Sequence, residues 1–362
     1  MENTWKRDCK SFPGVYACDT LKSENYKDCS ECNYYEPYSK KILILKLGAI
    51  GDVIRTTTIL NGLRKKYGDD IHITWVVGKE SFDLIKNNKY VNKALVFDEE
   101  AKLRLSQEKF DILLSLEIAP PATLLANLVN AKEKFGYYFD EDGHPSAFNK
   151  AAEPYLERVF SDKVNKEKKK TYQEMLFEFL EISYNKEEYV IESIKEDYAK
   201  EFMKRKNLGN KKIIGINIGS GSRWPSKRWS TDKIVELIKK IKQEGRYDII
   251  LLGGPEEEEI LGILSDDLKL VSNYPKNSLT EYISIVNLCD TIITGDTITL
   301  HIGIGLKKKV ISLFFCTPPW QIEDYNIVKK ITSPLLEKYY FDDQYHEDLA
   351  NSISVEEVYN LI

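Results

Sequence analysis

The sequence lacks any apolar run long enough to cross a bilayer. Its longest runs, such as "KILILKL" and "YDIILLGG", are strand-sized, whereas a spanning helix needs roughly 20 apolar residues. The opening "MENTWKRDCK" has no apolar signal segment. Charge of one sign is not in excess: 52 Lys and Arg against 57 Asp and Glu leave a formal net charge of -5, which argues against a nucleic-acid partner. No short repeat or low-complexity tract occurs. These absences predict a globular cytoplasmic protein. Contact with the inner face of the membrane, through an exposed basic or aromatic face, stays open.

Cysteine is scarce except at one place. Of six cysteines, four fall within the first 32 residues: Cys9, Cys18, Cys29 and Cys32. A reducing cytosol disfavours a disulfide frame, so a local thiol cluster points to a metal. The spacing is C-x8-C-x10-C-x2-C. Four thiolates can close a tetrahedral zinc or iron site, and a metal staple would explain how so polar a segment folds. The alternative is four free surface thiols. Cys289 and Cys316 sit alone in helix-like and strand-like stretches and read as small buried residues.

With 362 residues the chain has room for two ordinary domains. From Lys41 onward, strand-like "KILILKL", "IHITWVVG", "KALVF" and "FDILLSLE" alternate with helix-like segments, the last being "PATLLANLVNAK". The rhythm breaks between about Tyr138 and Lys170. It resumes with "KIIGINIG", "YDIILLGG", "LKLVSN", "DTIITG" and "KVISLFF". Such β-α-β order predicts an α/β chain with mainly parallel sheets covered on both faces. We place a cysteine-rich segment at 1–40, one Rossmann-like domain at 41–185 and a second at 186–362. In tandem, two doubly wound domains would face each other across a cleft at the carboxyl ends of their strands, where ligands bind.

Three stretches carry candidate chemistry. In "KLGAIGDVIRTTTIL", Lys46 to Leu60, a strand runs into a helix through Gly48 and Gly51, which permit a tight turn and leave room for a ligand. Asp52 falls near the first helical residue, with Val53, Thr57, Leu60 and Leu63 as the buried stripe. A helix start favours the ionised carboxylate, and a charged carboxylate there can accept a proton from an attacking hydroxyl. An aspartate that merely caps its helix fits the same spacing.

In "GSGSRWPSKRWS", Gly219 to Ser230, a glycine-serine loop including Ser220 brings Arg223, Lys227 and Arg228 together. That composition suits a phosphate-bearing ligand. A surface loop with Trp224 and Trp229 packed on an apolar ledge is the plainer reading. No "GK[ST]" follows, so it is not a Walker loop, and bulky residues exclude a dinucleotide fingerprint. In "TGDTITLHIGIG", Thr294 to Gly305, Asp296 and Thr297 open a helix whose free amides could seat an anion, with His301 one turn on. The run Glu256 to Glu259 after "GGP" matches a helix dipole; one member, Glu256 foremost, could reach a ribose.

Taken together, "KLGAIGDVIRTTTIL", "WPSKRWS", "LLGGPEE" and "GDTITLHIG" resemble glycosyltransferase family 9, the ADP-heptose lipopolysaccharide heptosyltransferases, in order and rough spacing from Lys41 to about Ile331. The resemblance implies a GT-B architecture, with an acceptor domain followed by a nucleotide-sugar domain, and an inverting transfer whose chemistry uses no metal. It makes Asp52 the base, Lys227 the diphosphate grip, and Asp296, Thr297 and His301 contacts to the donor. It also implies ADP-heptose as donor and a lipid-linked glycan, other glycan or protein as acceptor. Two places depart from the family pattern: Ile298 stands where glycine is common after "DT", and "FCTPPWQIEDY" replaces the usual "GPTDP". The cysteine segment resembles an extension found on some members. Two rival readings remain: a metal-thiolate sensing protein on a GT-B scaffold, and a GT-B nucleotide-sugar epimerase or hydrolase.

Overall fold

A computed structural model describes residues 4–14 and 16–362. The chain forms two compact units. The first comprises the chain up to Gly48, Ile59–Glu167 and Met175–Glu187; the second comprises Ala49–Thr58, Lys168–Glu174 and Glu188–Ile362. The second unit therefore takes two short segments from the N-terminal half of the sequence. Among the described residues no helix is long and apolar enough to cross a membrane.

The first unit holds a six-stranded sheet of β1 (Lys40–Leu45), β2 (Ile71–Val77), β3 (Lys93–Val96), β4 (Lys109–Ser115), β5 (Asn130–Phe139) and β6 (Pro145–Ala147), in the order β3-β2-β1-β4-β5-β6. All pairings are parallel except β5 with β6. Every residue of β2 is buried, as are Ile42 to Leu45 of β1. Strands covered on both faces read as continuous apolar runs rather than alternating ones, which is why "KILIL" and "IHITWVV" were legible.

The second unit repeats the plan with β7 (Lys212–Asn217), β8 (Tyr247–Leu252), β9 (Val271–Ser272), β10 (Thr291–Gly295), β11 (Lys309–Phe314) and β12 (Val328–Thr332), in the order β12-β11-β10-β7-β8-β9. All five pairings are parallel. This is the doubly wound order in which the winding reverses between the first and fourth strands, here β7 and β10. Its core joins Ile214, Ile216, Ile293, Ile311 and Leu313 of the sheet to Ile234, Leu237, Ile238 and Ile241 of the helix Thr231–Glu244. Both units are thus Rossmann-like.

Three local features depart from the sequence reading. The helix expected after Gly51 is two helices, Ile50–Thr56 and Ile59–Tyr67. The break falls on three consecutive threonines whose hydroxyls bond back to Asp52 O (2.7 Å), Ile54 O (2.6 Å) and Arg55 O (3.0 Å), competing with the helical ladder. The chain also leaves the second unit there. The expected stripe of Val53, Thr57, Leu60 and Leu63 is buried throughout. Secondly, the helix at "PATLLANLVNAK" stops at Leu128, and "NAKEKFGYYF" becomes β5 because it pairs along β4. Thirdly, β12 extends the second sheet beyond "KVISLFF".

Candidate active site

The loops that leave β7 and β10 lie side by side at the switch point of the second sheet. Asn217, the last residue of β7, joins them: its amide donates to Gly219 O (2.7 Å) and to Thr297 Oγ1 (3.4 Å). Asn217, Gly219, Lys227, Arg228, Thr294 and Gly295 line a small pocket at this edge. In open α/β sheets ligands sit at such a point.

The glycine-serine loop is fastened from beneath by Glu257. This buried carboxylate accepts from the amides of Gly221 (3.0 Å) and Gly254 (3.0 Å). A side chain at Gly219 would collide with it, since a Cβ there would lie 2.1 Å from Glu257 Cδ. Ser220 and Arg228 also work within the loop: Ser220 Oγ donates to Trp224 O (2.6 Å), and Arg228 Nη2 donates to Gly221 O (2.7 Å). Trp229 is buried with its indole N–H on Ile353 O (3.1 Å). Arg223 is exposed. Glu256 is exposed too and accepts from Ser222 Oγ (3.1 Å). Of the acidic run, it is Glu257 that shapes the loop. The sequence offered one clue to it, the glycines clustered on both sides of its carboxylate.

Lys227 faces Asp296. Its ammonium donates to Asp296 Oδ2 (2.9 Å) and Asp296 O (3.1 Å), and it stands 5.1 Å from the centre of the Trp224 ring. Burial alone would push the Asp296 carboxyl up; Lys227 and then His301 outweigh it and hold the pKa down at about 2. An ammonium has three donors, so two bonds to Asp296 leave one N–H for a ligand oxygen. Thr297 is the N-cap of the helix Ile298–Gly305, accepting from the Thr299 amide (3.3 Å), and its hydroxyl also meets Thr294 Oγ1 (3.0 Å). Ile298 is half-buried at the first helical position.

Asp52 belongs to the second unit together with its helix. The N-cap of Ile50–Thr56 is Ala49, and Asp52 is the third helical residue, in the first turn, where a carboxylate suits the helix start. Its Oδ1 pairs with Arg55 Nη2 at 2.8 Å. The Arg55 guanidinium lies 3.7 Å from the centre of the Tyr172 ring. Burial disfavours the Arg55 charge, but Asp52 first, then Tyr172, Tyr189 and Asp296, raise its pKa above the ordinary value. The sequence reading singled out neither Arg55 nor Tyr172, because Tyr172, which also meets Thr56, lies 116 residues beyond that threonine in the chain.

His301 ties these groups together. It is buried, its ring lies against Gly51, and it stacks on Tyr189 with centroids 6.3 Å apart. Burial first, and then Arg55, lower its pKa to about 4; Asp296, Asp52 and Lys227 also act on it. The imidazole is therefore neutral over most of the pH range. Its Nδ1 is buried without a hydrogen-bond partner. In the second unit, then, the aspartate, the lysine and the helix start share one electrostatic neighbourhood centred on His301. Gly48 closes the preceding segment of the first unit.

The N-terminal cysteines form a separate feature. Cys9, Cys18, Cys29 and Cys32 line one small pocket, and all are free thiols. Four convergent thiols suit a soft cation in kind. Among the described residues, however, no three Cys, His, Asp or Glu side chains stand in a ready ligand set. Cys289 and Cys316 are buried as expected.

Comparison with known proteins agrees with this architecture. Residues 100–346 match the model of glycosyltransferase family 9 (heptosyltransferase). A lipopolysaccharide heptosyltransferase 1 from Campylobacter coli is 24% identical over 312 residues, covering 78% of this chain and 85% of the relative. Among solved structures, a family 9 glycosyl transferase from Veillonella parvula superposes with a TM-score of 0.70 at 22% identity, covering 90% of this chain and 97% of that one. An ADP-heptose lipopolysaccharide heptosyltransferase II from E. coli gives 0.64 at 17%, covering 89% and 97%. With the family model spanning more than half of its length, over two doubly wound sheets, the chain belongs to glycosyltransferase family 9 and is a glycosyltransferase.

Proposed function

We propose that this enzyme moves a heptose from ADP-heptose to a hydroxyl of a lipopolysaccharide-core acceptor, with inversion at the anomeric carbon. The observation that carries the reading is the shared neighbourhood of Asp52, Lys227 and Asp296 around His301. Family membership and the names of the relatives support the sugar and the acceptor class. Asp52 takes the acceptor proton while that oxygen forms a bond to the anomeric carbon. The bond from the anomeric carbon to the diphosphate oxygen breaks, and ADP leaves with the electron pair. Lys227 uses its remaining N–H on the diphosphate, where preorganised charge stabilises the leaving group. The amides at the start of the Ile298–Gly305 helix seat a phosphate oxygen.

Asp52→Asn tests the reading. Turnover of ADP-heptose with de-acylated lipopolysaccharide core should fall by roughly 10³-fold or more, while ADP binding followed by calorimetry stays near wild type. Turnover that survives the substitution would remove Asp52 from the role. Incubation with donor alone should yield almost no free sugar, which distinguishes transfer from hydrolysis or epimerisation; the latter two draw no support from the family match. If heptosylated core fails to form while another acceptor is glycosylated, the acceptor assignment is wrong and the base assignment stands.

We also propose that Cys9, Cys18, Cys29 and Cys32 hold a structural zinc or iron ion, which takes no part in the transfer. Convergence of four thiols on one pocket supports this, and the ion would draw them into a tetrahedral set. Elemental analysis of purified protein should find one equivalent of metal, lost in Cys29→Ser/Cys32→Ser; visible absorbance separates iron from colourless zinc. Metal-free protein with an unchanged melting temperature would refute the site.

A further inference from the structure

Lys227 is carried by a single 3₁₀ turn, Pro225–Lys227, and two sets of contacts hold that turn. In the first, Ser226 Oγ meets Cys316 Sγ at 3.2 Å, with both side chains buried. Cys316 stands two residues beyond β11. Burial raises its pKa, so a hydroxyl meets a neutral thiol. Its carbonyl accepts from the Phe341 amide at 2.8 Å. The Phe341 ring leads back to the loop, its centre 6.5 Å from that of Trp224. Trp224 O accepts from the Lys227 amide at 3.1 Å. Trp224, Ser226, Cys316 and Phe341 thus close a circuit through the turn.

The second contact is with Gly295, the last residue of β10. A Cβ at Gly295 would lie 2.8 Å from the Lys227 carbonyl oxygen, so a residue without a side chain lets the turn come this close. Every member of both sets lies in the second unit.

An alanine at 226 would fill nearly the same space with no hydroxyl to bury, so packing alone does not account for the serine. What the pair adds is direction, because a hydrogen bond fixes the turn against the end of β11 in one geometry. Lysine has a flexible four-carbon stem, so the aim of its ammonium depends on both ends of the side chain. Asp296 holds the tip through bonds of 2.9 and 3.1 Å; the circuit holds the root. The stretch "FCTPPWQIEDY", which departs from the family pattern, contains this cysteine.

Resting on the reading of Lys227 as the grip on the diphosphate, we infer that Ser226 and Cys316 are positioning residues for the donor. Their contact sets the backbone of Lys227 and, through it, the direction of the ammonium. Both are too deeply buried to touch the donor themselves.

The test uses the full chain with Ser226→Ala, Cys316→Ala, the double variant, Cys316→Ser and Lys227→Met. Cys289→Ala is the control, since it removes an equally buried sulfur that lies against Gly215 instead. Calorimetry gives ADP affinity; ADP-heptose with de-acylated core gives donor KM and acceptor KM. Each alanine variant should weaken ADP binding roughly fivefold and raise donor KM alike, with acceptor KM within about twofold. The double variant should lose no more than either single, because all three remove one contact. Cys316→Ser restores a hydrogen-bonding partner and should bring ADP affinity back near wild type, a rescue that packing alone does not predict. Cys289→Ala should lower the melting temperature and leave ADP affinity unchanged. If both alanine variants bind ADP like wild type while Lys227→Met does not, the inference is wrong and the reading of Lys227 stands. If Lys227→Met binds ADP normally, that reading falls and the inference with it. Losses that add in the double variant, or that Cys316→Ser fails to restore, also overturn the inference. Should one alanine variant not fold, the other decides: unchanged ADP affinity overturns the inference, and a loss with unchanged acceptor KM supports it.

Discussion

The ring of His301 packs against the backbone of Gly51 so closely that a Cβ at Gly51 would lie 2.7 Å from His301 Cδ2. No real contact of that kind is so short, and His301 has little room to retreat because Tyr189 stacks on it. The glycine that reads in sequence as part of a tight turn is thus a packing requirement, set by a histidine 250 positions away in the same unit.

Gly51→Ala should therefore destabilise. Alanine gains about 1 kcal/mol in helix propensity, but overpacking costs about 1–3 kcal/mol. We expect a lower melting temperature, and a drop in turnover larger than stability explains, because Asp52 follows directly on the displaced turn. Retention of full turnover would show that Asp52 is indifferent to the register of the two helices.

Removing Lys227 leaves the Asp296 carboxylate largely buried without its cation. Breaking such a pair costs about 3 kcal/mol. Lys227→Met should lower the denaturation midpoint accordingly and abolish ADP binding. Adding Asp296→Asn should recover much of the stability but none of the binding. A double variant as unstable as the single would mean that the pair is not what the lysine stabilises.

Acid sensitivity follows from two buried histidines. His301 and His72 both have pKa values near 4, lowered by burial in the first place, against 6.5 in the unfolded chain. Between these values the unfolded state binds more protons, so stability is full above about 6.5 and falls as pH drops towards 4. Each group contributes up to about 3 kcal/mol across that window. Asp296 acts at lower pH and in the same direction, its contribution being lost as pH falls from 3.8 through about 2. Chemical denaturation at a series of pH values should show this slope, and His72→Gln should reduce it; a flat profile would contradict the burial of both rings.

Glu257 is predicted to govern donor binding without touching the donor. Glu257→Gln keeps one acceptor for the amides of Gly221 and Gly254, whereas Glu257→Ala leaves both half-buried amides without their carboxylate, at about 1 kcal/mol each. Donor KM should rise modestly in the first and by roughly tenfold or more in the second, with kcat at saturation much less affected. Glu256→Ala should leave KM close to wild type. The reverse order would assign the ribose-side contact to Glu256.

The second loop shows how far the sequence could be read. Its basic residues were visible as a group, but their duties were not: Arg228 and Ser220 bond within the loop, Arg223 is exposed, and Lys227 faces Asp296. Residue type gave the charge, while direction depended on which backbone groups the fold brings near. Likewise "NAK", the first three residues of β5, read as the end of a helix; pairing with β4 overrode that local preference.

What the sequence determined by itself is the α/β alternation, the parallel strands and the motif order, because continuous apolar runs and glycine turns are local signals of period and conformation. The tertiary structure decided that the Asp52 helix joins the second unit, that Tyr172 lies against the Arg55 that pairs with Asp52, and that Glu257 rather than Glu256 holds the loop. Those outcomes rest on contacts between residues far apart in the chain, whose energies depend on burial and direction, and neither is written in any one stretch of residues.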